Sequence, residues 1–300
     1  MERLGLESKS TGGHRQLMVT LTKWLSDGSK VKHGSVIFTC RRKDVAFSVV
    51  KNRKKAIGVE ELSRENCLEI LHDHLGNLCD EESAEGLVKN LGGVPSILLQ
   101  AANKIHEFGS AKRYLAFYTA NDDNRGRLLR QRRGISQYLS SSPIPWEEDF
   151  QALFEEDFHA IALLKSLMYL NSDSISKPLV RELKSGVEST KWPLEEDLEF
   201  AQHVALLENY FFVRSRVEQD DFFLHRAVQT CFRIWVTDTS VHEFTHGQTV
   251  RMLHSKFREA EFCEWPICRI LLPHIEMVAI RRPQLRENLQ DWCSLLINGA

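Results

Sequence analysis

The sequence predicts a mainly α-helical chain with a small α/β portion near its beginning, and three observations carry that prediction. First, an unbroken apolar run, Val36-Ile37-Phe38, lies between a turn-like SDGSKVKHG and a charged RRK, and a second short candidate strand, AIGVEELS, follows one brief helical segment. Second, from residue 81 onward apolar side chains return at helical spacing through most of the chain. Third, a polar VEQDD turn between NYFFVRSR and FFLH marks one β-hairpin. With 300 residues there is room for two ordinary domains, and 42% apolar content supplies a core for each, which excludes fibrous and disordered classes.

Taken in order, residues 44–50 read as a short helix between the two candidate strands. Ser63 then caps the next helix, with Asn66 at its third position in place of the usual Glu or Gln. An α/β fragment of two parallel strands needs neighbours on both sides, so a segment upstream of Met1 is expected to complete it. Between 81 and 132, Leu87 and Leu91, then Ile97, Leu98, Ala101, Ala102 and Ile105, mark amphipathic helices separated by glycine turns. The prolines and serines of SSSPIPW place a linker near residue 143. WEEDFQALFEEDFHAIALLKSLMYL follows as one long or two shorter helices, with acids early and its single lysine late, as the helix dipole favours. After the hairpin, RAVQTCFRIWV places Ala227, Cys231, Ile234 and Trp235 on one helical face. Helices, a two-stranded wing and a further helix predict a winged-helix domain. Residues 242–298 read as helical without an internal second copy.

Charge and cysteine usage narrow the function classes. The 39 Lys+Arg against 41 Asp+Glu leave a net charge of -2, so no global positive field draws the chain onto nucleic acid or anionic lipid. Seven cysteines without a CxxC pair predict reduced thiols and a cytoplasmic setting, and the start, MERLGLESKSTGGHRQLMV, has the form of neither an export signal nor a transit peptide. No apolar stretch reaches the 18 to 20 or so residues that span a bilayer, so no membrane association is expected.

One motif points directly to chemistry. In HEFTH, His242 and His246 lie four apart on a helix with Glu243 between them, the pattern by which two imidazoles hold zinc while a carboxylate acts as general base. A zinc metallopeptidase is therefore the alternative reading of the chain. Two features count against it. The extended HxxGxxH pattern fails at Thr249, and the polar TDTSV before the motif predicts an exposed first turn of a surface helix. Phosphate chemistry lacks its usual loop, because no Gly-Lys dipeptide occurs and no apolar strand ends in paired acids for Mg²⁺. The arginines of RGRLLRQRR, 125–133, and the basic runs RRK and KNRKK within 41–55 carry no aromatic among their charges to stack on bases, so a nucleic-acid partner is not expected.

Four segments in order carry a resemblance. GSVIFTCRR resembles the strand ending in Thr-Thr-Arg, LGGVPSILLQAA the Gly-Leu-Pro-Leu motif, FFLHRAVQ the winged-helix Met-His motif, and AEFCEWPICRILLPHIEMV the lead-in to tetratricopeptide repeats, all of fungal NB-ARC (STAND) signalling proteins. The resemblance spans about residues 20–280 and departs from the family pattern at Cys40, Ser96, Leu224 and Arg226. It implies that Arg41 is the sensor arginine toward the terminal phosphate, that Gly93 and Pro95 pack near adenine, and that His225 reaches the phosphate of ADP. It also implies four pieces. These are the C-terminal remnant of a P-loop NTPase domain over 1–76, a helical subdomain over 77–143, a winged helix over 144–240 and the start of a tetratricopeptide-like region over 241–300. The expected role is a nucleotide-dependent switch rather than an enzyme, with protein partners and self-association through the helical repeats. The complete family uses ADP or ATP with Mg²⁺. No cofactor is expected in this chain, because the phosphate loop and the Mg²⁺-binding acids are missing from it, as in an N-terminally truncated member. A helix N-terminus with its glycine loop supplies most phosphate hydrogen bonds, so at best weak ADP binding is expected.

Overall fold

A computed structural model describes residues 37–50, 53–130, 144–180, 194–216, 220–257 and 265–299. These divide into two compact units, one drawn from the stretch up to Val59 together with Asn209–Phe211, the other from Glu60–Glu208 and from Phe212 onward. The SSSPIPW linker lies largely outside the described residues, as does Val36.

In the first unit, helix α1 (Lys43–Val50) matches the predicted short helix. The Arg42 guanidinium donates to the Tyr210 hydroxyl at 3.0 Å and lies over its ring at 4.7 Å, while also pairing with Asp44 at 2.6 Å. Neither predicted strand is present here. Residues 37–40 and 56–63 carry no strand, and Ile37, Ile57 and Val59 are among the most exposed apolar side chains of the described residues. An apolar run makes a strand only when a neighbour takes up its N–H and C=O groups, and no described segment does so here.

The larger unit is mainly helical, as expected, with one small sheet. Helices α2 (Arg64–Leu75), α3 (Glu81–Leu91), α4 (Pro95–Phe108), α5 (Ala111–Ala120) and α6 (Asp122–Arg130) pack on one another. Their termini follow local chemistry. The Ser63 hydroxyl caps α2 through the Asn66 N–H, Asp80 caps α3 through Ser83, and Pro95 opens α4, where a missing N–H costs nothing. The buried face of α4 is Ile97, Leu98, Ala101, Ala102 and Ile105, the set predicted from spacing.

Two helices, α7 (Glu147–Glu156) and α8 (Phe158–Ser166), fill the long stretch after residue 146, and Asp157 ends one and caps the other. The sheet joins β1 (Ile175–Ser176), β2 (Val213–Arg216) and β3 (Asp221–Leu224) in the order β1-β3-β2, all antiparallel. Helix α9 (Leu194–Asn209) precedes the β2–β3 hairpin, and α10 (Arg226–Trp235) follows it directly. Eight of the ten residues of α10 are buried. Its polar groups there are satisfied by backbone carbonyls. Gln229 donates to Leu167 and Leu170, and Arg233 donates to Met168. The basic cluster is used in the same way: Arg130 donates to the Ile234 carbonyl and Arg125 to that of Tyr118.

The last three helices, α11 (Thr239–Lys256), α12 (Trp265–Ala279) and α13 (Arg286–Gly299), pack on each other, and α11 also reaches α8. Gly247 on α11 permits the closest approach, since a Cβ there would sit 2.2 Å from the Asn288 amide nitrogen of α13. Among the described residues no helix is long and apolar enough to cross a membrane.

Phe150 of α7 ties these layers together. It is fully buried, with the rings of Phe212, Phe232 and Trp235 at 5.0, 5.1 and 5.8 Å. Replacing it by Ala should cost about 3–5 kcal/mol in urea unfolding. A loss below about 1 kcal/mol would contradict its place at the centre of this core.

Candidate functional site

Two of the residues singled out in the sequence, Gly93 and His225, come close to one another, and His225 is the centre of their contact. It lies at the junction between β3 and α10, where a sharp change from strand to helix leaves the first helical N–H groups without partners. Its Nδ1 accepts from the Ala227 N–H at 3.0 Å, so the imidazole itself caps α10. A nitrogen that accepts carries no proton, and the hydrogen-bond pattern therefore assigns the neutral ring with its proton on Nε2. That Nε2 faces the Glu61 carboxylate at 3.2 Å, without the alignment of a hydrogen bond, and has no hydrogen-bond partner among the described residues. Arg214 pairs with the adjoining Glu60. The imidazole Nε2–H, with help from Arg214, holds the Glu61 carboxyl below the usual carboxylate range against the opposing effect of burial.

The ring also presses on the α3–α4 turn. Gly92 ends α3 at φ +74°, and a Cβ on it would lie 2.8 Å from His225 Cε1 and 3.3 Å from Nε2. Gly93 is buried for a related reason. A Cβ there would lie 2.5 Å from the Leu62 carbonyl oxygen, and the Gly93 carbonyl accepts from the Leu62 N–H at 2.9 Å. The 61–62 segment, the glycine pair and the start of α10 thus form one contact. Trp146 completes the surroundings. Its ring centroid is 6.2 Å from that of His225, and its backbone takes φ +62°, an uncommon conformation for a bulky residue.

Of the four residues expected to share a site, Gly93 and His225 are thus joined through Gly92 and Glu61. Pro95 is exposed at the first position of α4. Arg41 is exposed and belongs to the first unit, just before α1. Gly92, Glu61 and Trp146 were not anticipated. The paired glycines closing a helical pattern are the signal for the first, whereas nothing in the sequence singles out the other two.

HEFTH does not lie on an exposed first turn, contrary to expectation. Glu243 is 7% exposed and His246 is fully buried. The polar TDTSV reports only how α11 is capped, by Asp238, and not which way the helix faces one turn later. Both nitrogens of His242 are engaged, Nδ1 with the Tyr169 hydroxyl at 2.7 Å and Nε2 with the Val236 carbonyl at 2.6 Å. Nε2 must donate to that carbonyl, so Tyr169 donates to Nδ1. Glu243 accepts from the Gln284 N–H at 2.9 Å and from Arg281 at 3.4 Å. His246 Nε2 donates to the Val278 carbonyl at 3.2 Å, and burial pushes its pKa down. Glu243 thus binds α11 to the segment after α12, His246 binds it to the last turn of α12, and His242 binds it to the segment after α8. Among the described residues there is no group of three or more His, Cys, Asp or Glu placed to hold a metal ion.

Comparison with known proteins gives one distant relative. The chain is 23% identical over 283 residues to a protein of Hyaloscypha variabilis described as a nucleotide-binding leucine-rich repeat (NLR)-like protein. The match covers 91% of this chain and 26% of the relative, so the chain spans about a quarter of that protein's length. No protein-family model matches. The chain is therefore a distant relative of an NLR-like protein.

Two measurements check the His225 contact. Gly92 and Gly109 both end helices at positive φ, +74° and +72°, but nothing lies within 4 Å of a Cβ at Gly109. Gly109, at ψ 3°, is left-handed helical, and Gly109→Ala should cost about 1 kcal/mol; Gly92, at ψ -179°, lies in a region nearly confined to glycine and its Cβ would also meet the ring, so Gly92→Ala should cost at least about 1 kcal/mol more. Equal losses would contradict the ring contact. Because the folded-state pKa of Glu61 is lowered, its unfolded form takes up a proton first. Its contribution is complete above the ordinary glutamate value of 4.5 and is lost as pH falls below it. Glu61→Gln should therefore reduce stability at pH 7 but flatten its decline below about pH 4.5. An unchanged acid limb would contradict the coupling.

Proposed function

We propose that this chain is a portion of an NLR-like signalling switch whose nucleotide subsite is incomplete within these 300 residues. The observation that supports the reading is the seating of His225 against Gly92, which brings two segments far apart in sequence together. Distant similarity over 91% of the chain to an NLR-like protein supports the same class. The hairpin followed directly by α10, after α7 and α8, supports a winged helix. The mutually packed α11, α12 and α13 support the beginning of a tetratricopeptide-like helical array.

In this reading the complete protein closes on ADP and opens on ATP, a shift between two packings of the same domains. Gly93 and Pro95 border the purine, while Arg41 and His225 approach the phosphates. This chain keeps the His225 lever and the helical domain that it presses, but not the glycine loop whose N–H groups hold a phosphate. Glu61 further opposes an anion at His225, since its carboxylate already faces Nε2. The chain acts through protein partners and self-association in the cytoplasm, without catalysis of its own.

Titration of the labelled chain with ADP, followed by amide NMR, tests this. Saturable shifts at Gly93 and His225 with a Kd of about 0.1–1 mM, lost in His225→Ala, are expected. Sub-micromolar affinity by calorimetry, or shifts confined to other surfaces, would overturn the reading.

A further inference from the structure

Helix α12 is apolar on two opposite sides. Leu271, Ile275 and Val278 are buried, on the side where α12 packs on α11 and α13. At 3.6 residues per turn, Ile270, Pro273 and Met277, with Ile280 just beyond the helix end, fall on one stripe opposite to them, at the three-then-four spacing of a coiled-coil seam. That stripe faces away from the core. Ile270 and Ile280 are 55% and 77% exposed, Pro273 is exposed and Met277 partly so. A helix that is apolar all round is ordinarily covered on both sides, so this outer face calls for an occupant.

The charges of the helix select that occupant. Arg269 and Glu276 are its two charged side chains, and seven residues make almost two full turns, so both lie on the same flank of the stripe; both are exposed. They are opposite in sign and stand on either side of Pro273, four residues before it and three after. When two copies of one helix pair antiparallel about a two-fold axis, a residue before the axis faces the one equally far beyond it in the other copy. With the axis beside Pro273, Arg269 of each copy therefore meets Glu276 of the other, and Ile270 meets Met277. Both contacts occur twice. A parallel pairing would instead set arginine on arginine and glutamate on glutamate. The face is thus complementary to itself in the antiparallel sense alone.

We propose that the outer face of α12 is a self-association surface, on which two copies of this chain pair antiparallel about an axis at Pro273. From Ile270 to Ile280 the stripe is about 15 Å long at 1.5 Å per residue, which makes a small interface and a reversible dimer, with a Kd of about 10–100 µM. Self-association through α12 gives the proposed switch a surface and requires no nucleotide, so failure of the ADP titration and failure of the dimer are separate results.

Sedimentation equilibrium of the full 300-residue chain, from about 1 to about 200 µM, tests this. The mass should rise with concentration from 34.6 kDa toward twice that value. Ile270→Glu should leave a monomer throughout, and Arg269→Glu or Glu276→Arg alone should weaken the dimer at least about fivefold. The two reversals combined, Arg269→Glu with Glu276→Arg, should restore it to within about twofold of the original. All three side chains are exposed, and unchanged circular dichroism and thermal unfolding confirm that the variants fold. The proposal is overturned by a chain still monomeric at about 200 µM, by a dimer that Ile270→Glu leaves intact, or by a double variant no tighter than the single ones.

Discussion

A single imidazole holds three separate stretches of this chain in register. His225 satisfies the open N-terminus of α10, touches the backbone of Gly92 and faces the carboxylate of Glu61. Each contact demands something different of the ring. Capping needs an unprotonated Nδ1, the glycine contact needs an absent side chain, and Glu61 needs a proton on Nε2. One tautomer in one orientation meets all three, so a change at any of the partners is felt by the others.

The importance of that point follows from what α10 does. The helix is almost wholly buried, with Phe232 and Trp235 against Phe150 and with Gln229 and Arg233 closing the carbonyls at the end of α8. It also packs on α3 and α6, and Arg130 of α6 closes the Ile234 carbonyl. A displacement at the N-terminus of α10 therefore cannot remain local, because close-packed interiors transmit a shift rather than absorb it. This gives a physical route from His225 to the rest of the unit.

Much of this was legible from residues alone, and the reasons differ by element. The α4 core face followed from spacing, the start of α2 from the Ser63 cap, and the hairpin from a polar turn between apolar runs. These are local signals with local causes. The candidate strands at 36–38 and 56–63 failed because strand formation depends on a partner that the run itself cannot specify. Burial of Glu243 and His246 was missed for a similar reason, since it comes from α12 and α13 and not from the first turn of α11. Gly93 and His225 were legible as motif positions. Glu61 and Trp146 were not, because their roles exist only once the α3–α4 turn, the 61–62 segment and α10 are folded together.

The most direct test of this account is the state of the His225 ring itself. Long-range ¹H–¹⁵N correlation spectra of the chain at neutral pH should show the neutral tautomer protonated on Nε2, with nuclear Overhauser contacts from its Cε1 proton to the Gly92 α protons. A ring protonated on Nδ1, or one without contact to Gly92, would contradict the claim that this imidazole joins α10 to the α3–α4 turn.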